Sequence, residues 1–96
     1  MPAATRIGDN DVAHCTSMTR AEGSEDVFVN GIGWSRKGDK NTSHKFFPVP
    51  CENHTAGIAV GSTTVFVNGK GAGRVGDAIS GCTSVAEGSS DVFAGG

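Results

Sequence analysis

Residues 61–82 read GSTTVFVNGKGAGRVGDAISGC. The apolar run Val65-Phe66-Val67 leads into Asn68-Gly69, and the chain then passes through Arg74-Val75-Gly76-Asp77 to Cys82. Asn-Gly between β-prone runs is the strongest short-range hairpin signal, because a tight two-residue turn needs positive φ at both central positions. The stretch predicts a hairpin over about residues 63–75, with Arg74 to Asp77 in its return strand.

The same unit occurs again. Residues 23–44, GSEDVFVNGIGWSRKGDKNTSH, begin 38 positions earlier and match at 11 of 22 positions without a gap. They predict a hairpin over about 26–37, turning at Asn30-Gly31. Residues 88–96, GSSDVFAGG, are the first half of a further copy, and residues 5–14, TRIGDNDVAH, are a second half. Two whole copies and one divided between the ends make three pseudo-equivalent hairpins, related by a pseudo-threefold axis. Residues 91–94 are expected as the closing strand of the divided unit.

Composition agrees with an all-β reading. The chain has no leucine, tyrosine or glutamine, 15 of its 96 residues are glycine, and Val, Ile and Phe together number 19. Valine-led, glycine-rich sequence favours short strands and many turns over helices, and no helix longer than one or two turns is expected. The length fits one small domain, residues 1–96, with a thin core that needs a staple. A net charge of −2 offers no basic footprint for nucleic acid. No apolar run is long enough to span a membrane, and the N-terminus lacks a signal-peptide core, so synthesis in the cytoplasm and export by another route are expected. After Gly95-Gly96 no further domain is expected.

The staple is written into the repeat. Arg6 to His14, Arg36 to His44 and Arg74 to Cys82 are each eight positions apart. Pseudo-threefold repetition would bring these three side chains together, and all are good zinc ligands. The connection from His44 to Gly61, HKFFPVPCENHTAGIAVG, is the longest in the chain and supplies a fourth candidate, His54. The expected set is His14, His44, His54 and Cys82 around one structural zinc. Cys51, three residues before His54, competes for the fourth place or could share the metal with it. Cys15 would point away from His14 in an extended segment and reads as a small buried or half-buried thiol.

Other polar repeats read as structure. In the Arg-x-Gly-Asp segments, Asp9, Asp39 and Asp77 suit turns in which the carboxylate caps backbone N–H groups or pairs with arginine. Val27, Val29, Val65, Val67, Val92 and the adjoining phenylalanines are expected mainly in the core, with an interface as the other possibility. Trp34, aligned with Ala72, is a candidate contact residue. Nothing resembles a nucleophile–base pair or a phosphate loop, so no catalytic residue is assigned.

These residues resemble the PAAR-repeat family, the tip proteins of contractile injection machines. The family name survives as Pro2-Ala3-Ala4, with Thr5 before Arg6, and as Gly71-Ala72-Gly73-Arg74. The more specific matches are Gly-Ser-x-x-Val-Phe-Val-Asn-Gly followed by Arg-x-Gly-Asp, twice, and the closing Gly88-Ser89 to Phe93; together they span nearly the whole chain. The resemblance implies a small cone of three pseudo-threefold β-hairpin repeats, with zinc near its apex held by three histidines and one cysteine. That ligand set falls on His14, His44, His54 and Cys82. It also implies a base that docks on a trimeric β-helical spike, one monomeric tip per trimer, in a type VI secretion system or a contractile phage tail. Transient contact with a target membrane would follow. Without a toxin extension the chain resembles a bare tip.

Two other functions compete. A zinc-stabilised adaptor would bind some other partner. A small zinc hydrolase would need an open coordination position and a general base beside the metal, against which four protein ligands argue.

Overall fold

The computed structural model describes residues 1–13, 17–46 and 52–96, with 44–46 and 52–53 described by their backbone alone. The described residues contain strands, bridges and turns and no helix. Among the described residues there are three two-stranded antiparallel ribbons. The first joins β1 (Phe28–Val29) to β2 (Ile32–Gly33), the second β3 (His44–Phe46) to β4 (Glu52–His54), and the third β5 (Phe66–Val67) to β6 (Lys70–Gly71). The two Asn-Gly hairpins are where the repeat predicts them, with shorter strands. Asn30 and Gly31 have φ of 55° and 77°, and Asn68 and Gly69 have 54° and 78°, the left-handed pair that a type I′ turn requires.

The divided unit is closed by the chain ends. Ala3 bridges Phe93, Ala4 N–H donates to Val92 C=O at 2.9 Å, and Ala94 N–H donates to Pro2 C=O at 3.0 Å. The whole units make the matching contacts: Phe28 pairs Gly33 with Trp34 N–H bonding Val27 C=O, and Phe66 pairs Gly71 with Ala72 N–H bonding Val65 C=O. The N-terminal Pro-Ala-Ala segment thus serves as the return strand for residues 92–94.

Backbone hydrogen bonds tie the three units in a cycle. Thr5, Ser35 and Gly73 each precede the repeat arginine. Thr5 N–H donates to Gly73 C=O (3.1 Å), Gly73 N–H to Ser35 C=O (2.8 Å) and Ser35 N–H to Thr5 C=O (3.0 Å). A second set one step outward runs in the opposite sense, with Ile7 donating to Gly33, Lys37 to Gly71 and Val75 to Ala3. The ring is tight. A Cβ on Gly73 would lie 2.6 Å from the Ser35 carbonyl oxygen and 2.8 Å from Ile58 Cδ1, which explains glycine there.

The Arg-x-Gly-Asp segments differ from expectation. They are turns and not return strands: Asp9, Asp39 and Asp77 N–H groups donate back to the Arg6, Arg36 and Arg74 carbonyls, with Gly8, Gly38 and Gly76 at φ near +90°. Positive φ at the third position is the signature of a type II turn. The carboxylates do what the sequence suggests. Each accepts the N–H of its own arginine at 2.7–2.8 Å and grips that guanidinium through both oxygens.

Among the described residues the apolar interior is thin and forms two clusters. Val67, Ala72 and Ala94 form one buried cluster, with Val27, Trp34 and Val65 packed on it. Ile58, Ile79 and Val85 form the other, with Ala56, Val75 and Cys82 alongside. Val29 and Val67 are buried as expected, but Phe28, Phe66 and Phe93 are 58%, 60% and 48% exposed. Their assignment to the core is therefore wrong. Successive strand residues face opposite sides, so burying Val29 and Val67 turns the preceding phenylalanine outward. Trp34 is a packing residue that also ties units together, its indole N–H donating to Gly73 C=O at 2.9 Å.

Candidate metal centre

Three loops leave the repeat at equivalent positions. Asn10 bridges Thr19, Lys40 bridges Gly57 and Ala78 bridges Ser84, closing loops that contain, in turn, His14, then His44 with His54, then Cys82. The loops are stitched to one another in the same cyclic order as the units. Val12 N–H donates to Ser84 C=O (2.8 Å), Thr42 N–H to Thr19 C=O (2.8 Å) and Ser80 N–H to Gly57 C=O (2.9 Å). Spacing in sequence thus becomes proximity of three loops in space.

The long loop is a hairpin that the repeat did not predict. β3 and β4 pair with His44 directly opposite His54. His54 Nε2 lies 3.6 Å from Cys82 Sγ. Zinc–sulfur and zinc–nitrogen bonds of about 2.3 and 2.0 Å at a tetrahedral angle put the two donor atoms about 3.5 Å apart. The His54–Cys82 pair therefore fits one edge of a tetrahedral zinc site. Among the described residues no group of three or more His, Cys, Asp or Glu side chains gathers. His14, Cys15 and Cys51 lie outside the described residues, and of His44 the backbone alone is described.

Cys82 is half-buried against the Ile58–Ile79–Val85 cluster. Burial pushes its thiol up, a shift that the Asn41 amide partly opposes. Such a group lacks the depressed pKa of an activated nucleophile, whereas a metal would hold it as thiolate.

Behind Cys82 lies a polar cluster missed by sequence reasoning. Asn41, 1% exposed, directs Nδ2 to Asp11 Oδ2 at 3.1 Å and to Cys82 Sγ at 4.0 Å, and its Oδ1 accepts the Ala56 N–H at 2.9 Å. Asp11 pairs with Arg20, Nε to Oδ1 at 3.1 Å, both side chains fully buried. The bridges Asp11↔Val85, Arg20↔Asn41 and Ile58↔Ile79 make Asp11, Asn41 and Ile79 one equivalent set and Arg20, Ile58 and Val85 another. Charged and amide residues thus stand where other units have aliphatics. The one signal for this was the alignment of Asp11 and Asn41 with Ile79, weak where the repeat is least alike.

The family model described as PAAR motif matches residues 50–96, the second half of the chain, which contains the whole unit 61–82 and the closing segment 88–96. The chain is a PAAR-repeat protein, of the kind that belongs to contractile injection systems. No curated protein matches it.

Proposed function

We propose that this protein is the structural tip of the spike in a contractile phage tail or a type VI secretion system. In this reading it caps a trimeric β-helical spike, one tip per trimer, and helps it pierce the target envelope. The observation that carries the reading is cyclic equivalence. The Thr5–Gly73–Ser35 hydrogen-bond ring relates the three units, and each unit exposes one equivalent phenylalanine, Phe28, Phe66 or Phe93. A pseudo-threefold axis through that ring gives a single chain three alike surfaces, which is what docking on a true trimer demands. Extents of 37 × 23 × 21 Å, one long axis and two similar short ones, suit a cone about such an axis. The phenylalanines are the anchors we assign to its base, since buried aromatics dominate interface energetics.

At the apex we propose one zinc held by His14, His44, His54 and Cys82. The His54–Cys82 separation and the pairing of His44 with His54 support this set. Bound there, zinc cross-links the loops that the thin core holds poorly, and its binding energy becomes folding energy. No catalytic role is proposed. The conspicuous carboxylates, Asp9, Asp39 and Asp77, are each engaged by the arginine of their own turn.

The test is native mass spectrometry of the protein mixed with a trimeric β-helical spike protein of a contractile injection system. One tip per three spike chains is expected, and loss of the complex when Phe28, Phe66 and Phe93 are changed together to aspartate. Another ratio, or binding indifferent to the phenylalanines, would overturn the threefold docking and leave a zinc-stabilised adaptor.

A further inference from the structure

We infer that Asn41 is a positioning residue for the metal-bound thiolate: its side-chain amide, locked by Asp11 and by the Ala56 N–H, aims an N–H at Cys82 Sγ. The inference rests on the zinc reading above and extends it from the ligands to the groups that orient them. An asparagine amide has one carbonyl and two N–H donors. The Ala56 N–H at 2.9 Å fixes which end is the carbonyl. That leaves the NH₂ facing Asp11 Oδ2 at 3.1 Å and Cys82 Sγ at 4.0 Å. With Asp11 taking one proton, the other is directed to the sulfur.

The lock is rigid because each member is held in turn. Asp11 is pinned by the fully buried Arg20, whose Nη1 reaches the Asp39 carbonyl at 3.4 Å. Asn41 itself stands three residues before His44, and Ala56 two residues after His54, so the amide joins both arms of the long loop to the loop carrying Cys82. An N–H aimed at a thiolate withdraws charge from it and fixes its direction. Partners of this outer kind commonly change metal affinity by about 10-fold or more.

The experiment compares the cobalt- and zinc-loaded full chain with N41L, which keeps volume and removes both donors. The sulfur-to-cobalt charge-transfer band is expected to move to lower energy in N41L, because the sulfur is more electron-rich without the N–H. Transfer of zinc to a chelator is expected to speed up by about 10-fold. A variant with native fold, unshifted band and unchanged release overturns the inference. A direct reading needs no variant: in the unaltered protein loaded with cadmium-113, a through-bond coupling between the metal and an Asn41 side-chain amide proton is expected, and its absence counts against the contact even if N41L does not fold. If the unaltered protein gives no sulfur-to-cobalt band at all, the zinc reading itself fails, an outcome distinct from an unshifted band in N41L.

Discussion

Arg74 donates from Nη1 to the backbone carbonyl of Gly95 at 3.1 Å, at the place where Arg6 and Arg36 donate to the side-chain carbonyls of Asn30 and Asn68 at 3.0 and 2.9 Å. The divided unit has glycine where a hairpin turn would carry asparagine, and the main chain supplies the missing oxygen. Ser62 Oγ also donates to that carbonyl, as Ser89 Oγ donates to Asn30. Each unit's turn position is thus received by the Ser-x-x-Val segment of another unit and by the repeat arginine. In the two whole copies, Asn30 also donates to Asp91 and Asn68 to Asp26.

N68G isolates this network from turn geometry, since glycine accepts the φ of 54° that Asn68 adopts. It removes the acceptor for Arg36 and the donor to Asp26. A loss of about 1 kcal/mol is expected, and N68A should lose more because alanine resists positive φ. Thermal unfolding of the two variants checks the order.

Acid should weaken the same network. The Asn68 amide, then the Ser24 hydroxyl, hold Asp26 below the usual carboxylate range, and the Asn30 amide, then the Ser89 hydroxyl, do the same for Asp91. A folded pKa below the unfolded one means the contribution is full above the unfolded value, about 3.9, and is lost as pH falls through the folded one. Stability should therefore decline below about pH 4, and a D26N/D91N variant should show a shallower decline there. Melting temperatures measured from pH 5 to pH 2 test this.

The buried pair should behave asymmetrically. Removing Arg20 or Asp11 alone strands a charge in the interior and is expected to cost about 3–5 kcal/mol. D11I/R20I copies the aliphatic pattern of the equivalent Ile79 and Ile58 and should recover most of that loss, while speeding zinc release because Asn41 loses its anchor. Urea unfolding of the single and double variants decides it; an additive double variant would contradict the coupling.

Metal removal should be the severest perturbation. C82S, H54A, H44A and H14A are each expected to abolish stoichiometric zinc and lower the melting temperature sharply, and C51S to do neither. Calorimetry paired with metal analysis separates the histidine set from a set that includes Cys51.

The exposed phenylalanines should matter to binding and not to folding. Single Phe→Ala changes at 28, 66 and 93 are expected to shift stability by no more than about 0.5 kcal/mol, as surface positions do. Each should weaken spike binding by about 1 kcal/mol or more. Titration calorimetry against the spike trimer, beside a melt of each variant, measures both.

What residues 61–82 and their copies determine on their own is whatever depends on near neighbours. Asn-Gly turns need only positive φ at two adjacent residues, and the Arg–Asp clamps span three positions. Even the divided unit was legible, because its halves repeat halves seen elsewhere. The candidates His14, His44 and Cys82 come from a constant spacing in the repeat. The tertiary structure alone decided that Phe28, Phe66 and Phe93 face outward, because which strand face is buried depends on how the units close around Thr5, Ser35 and Gly73. It alone set His44 against His54, a register made in a loop outside the repeat. It alone brought Asn41 between Asp11 and Cys82. Those residues belong to three different loops, and no local rule of sequence specifies a contact that exists only once the cycle of units has closed.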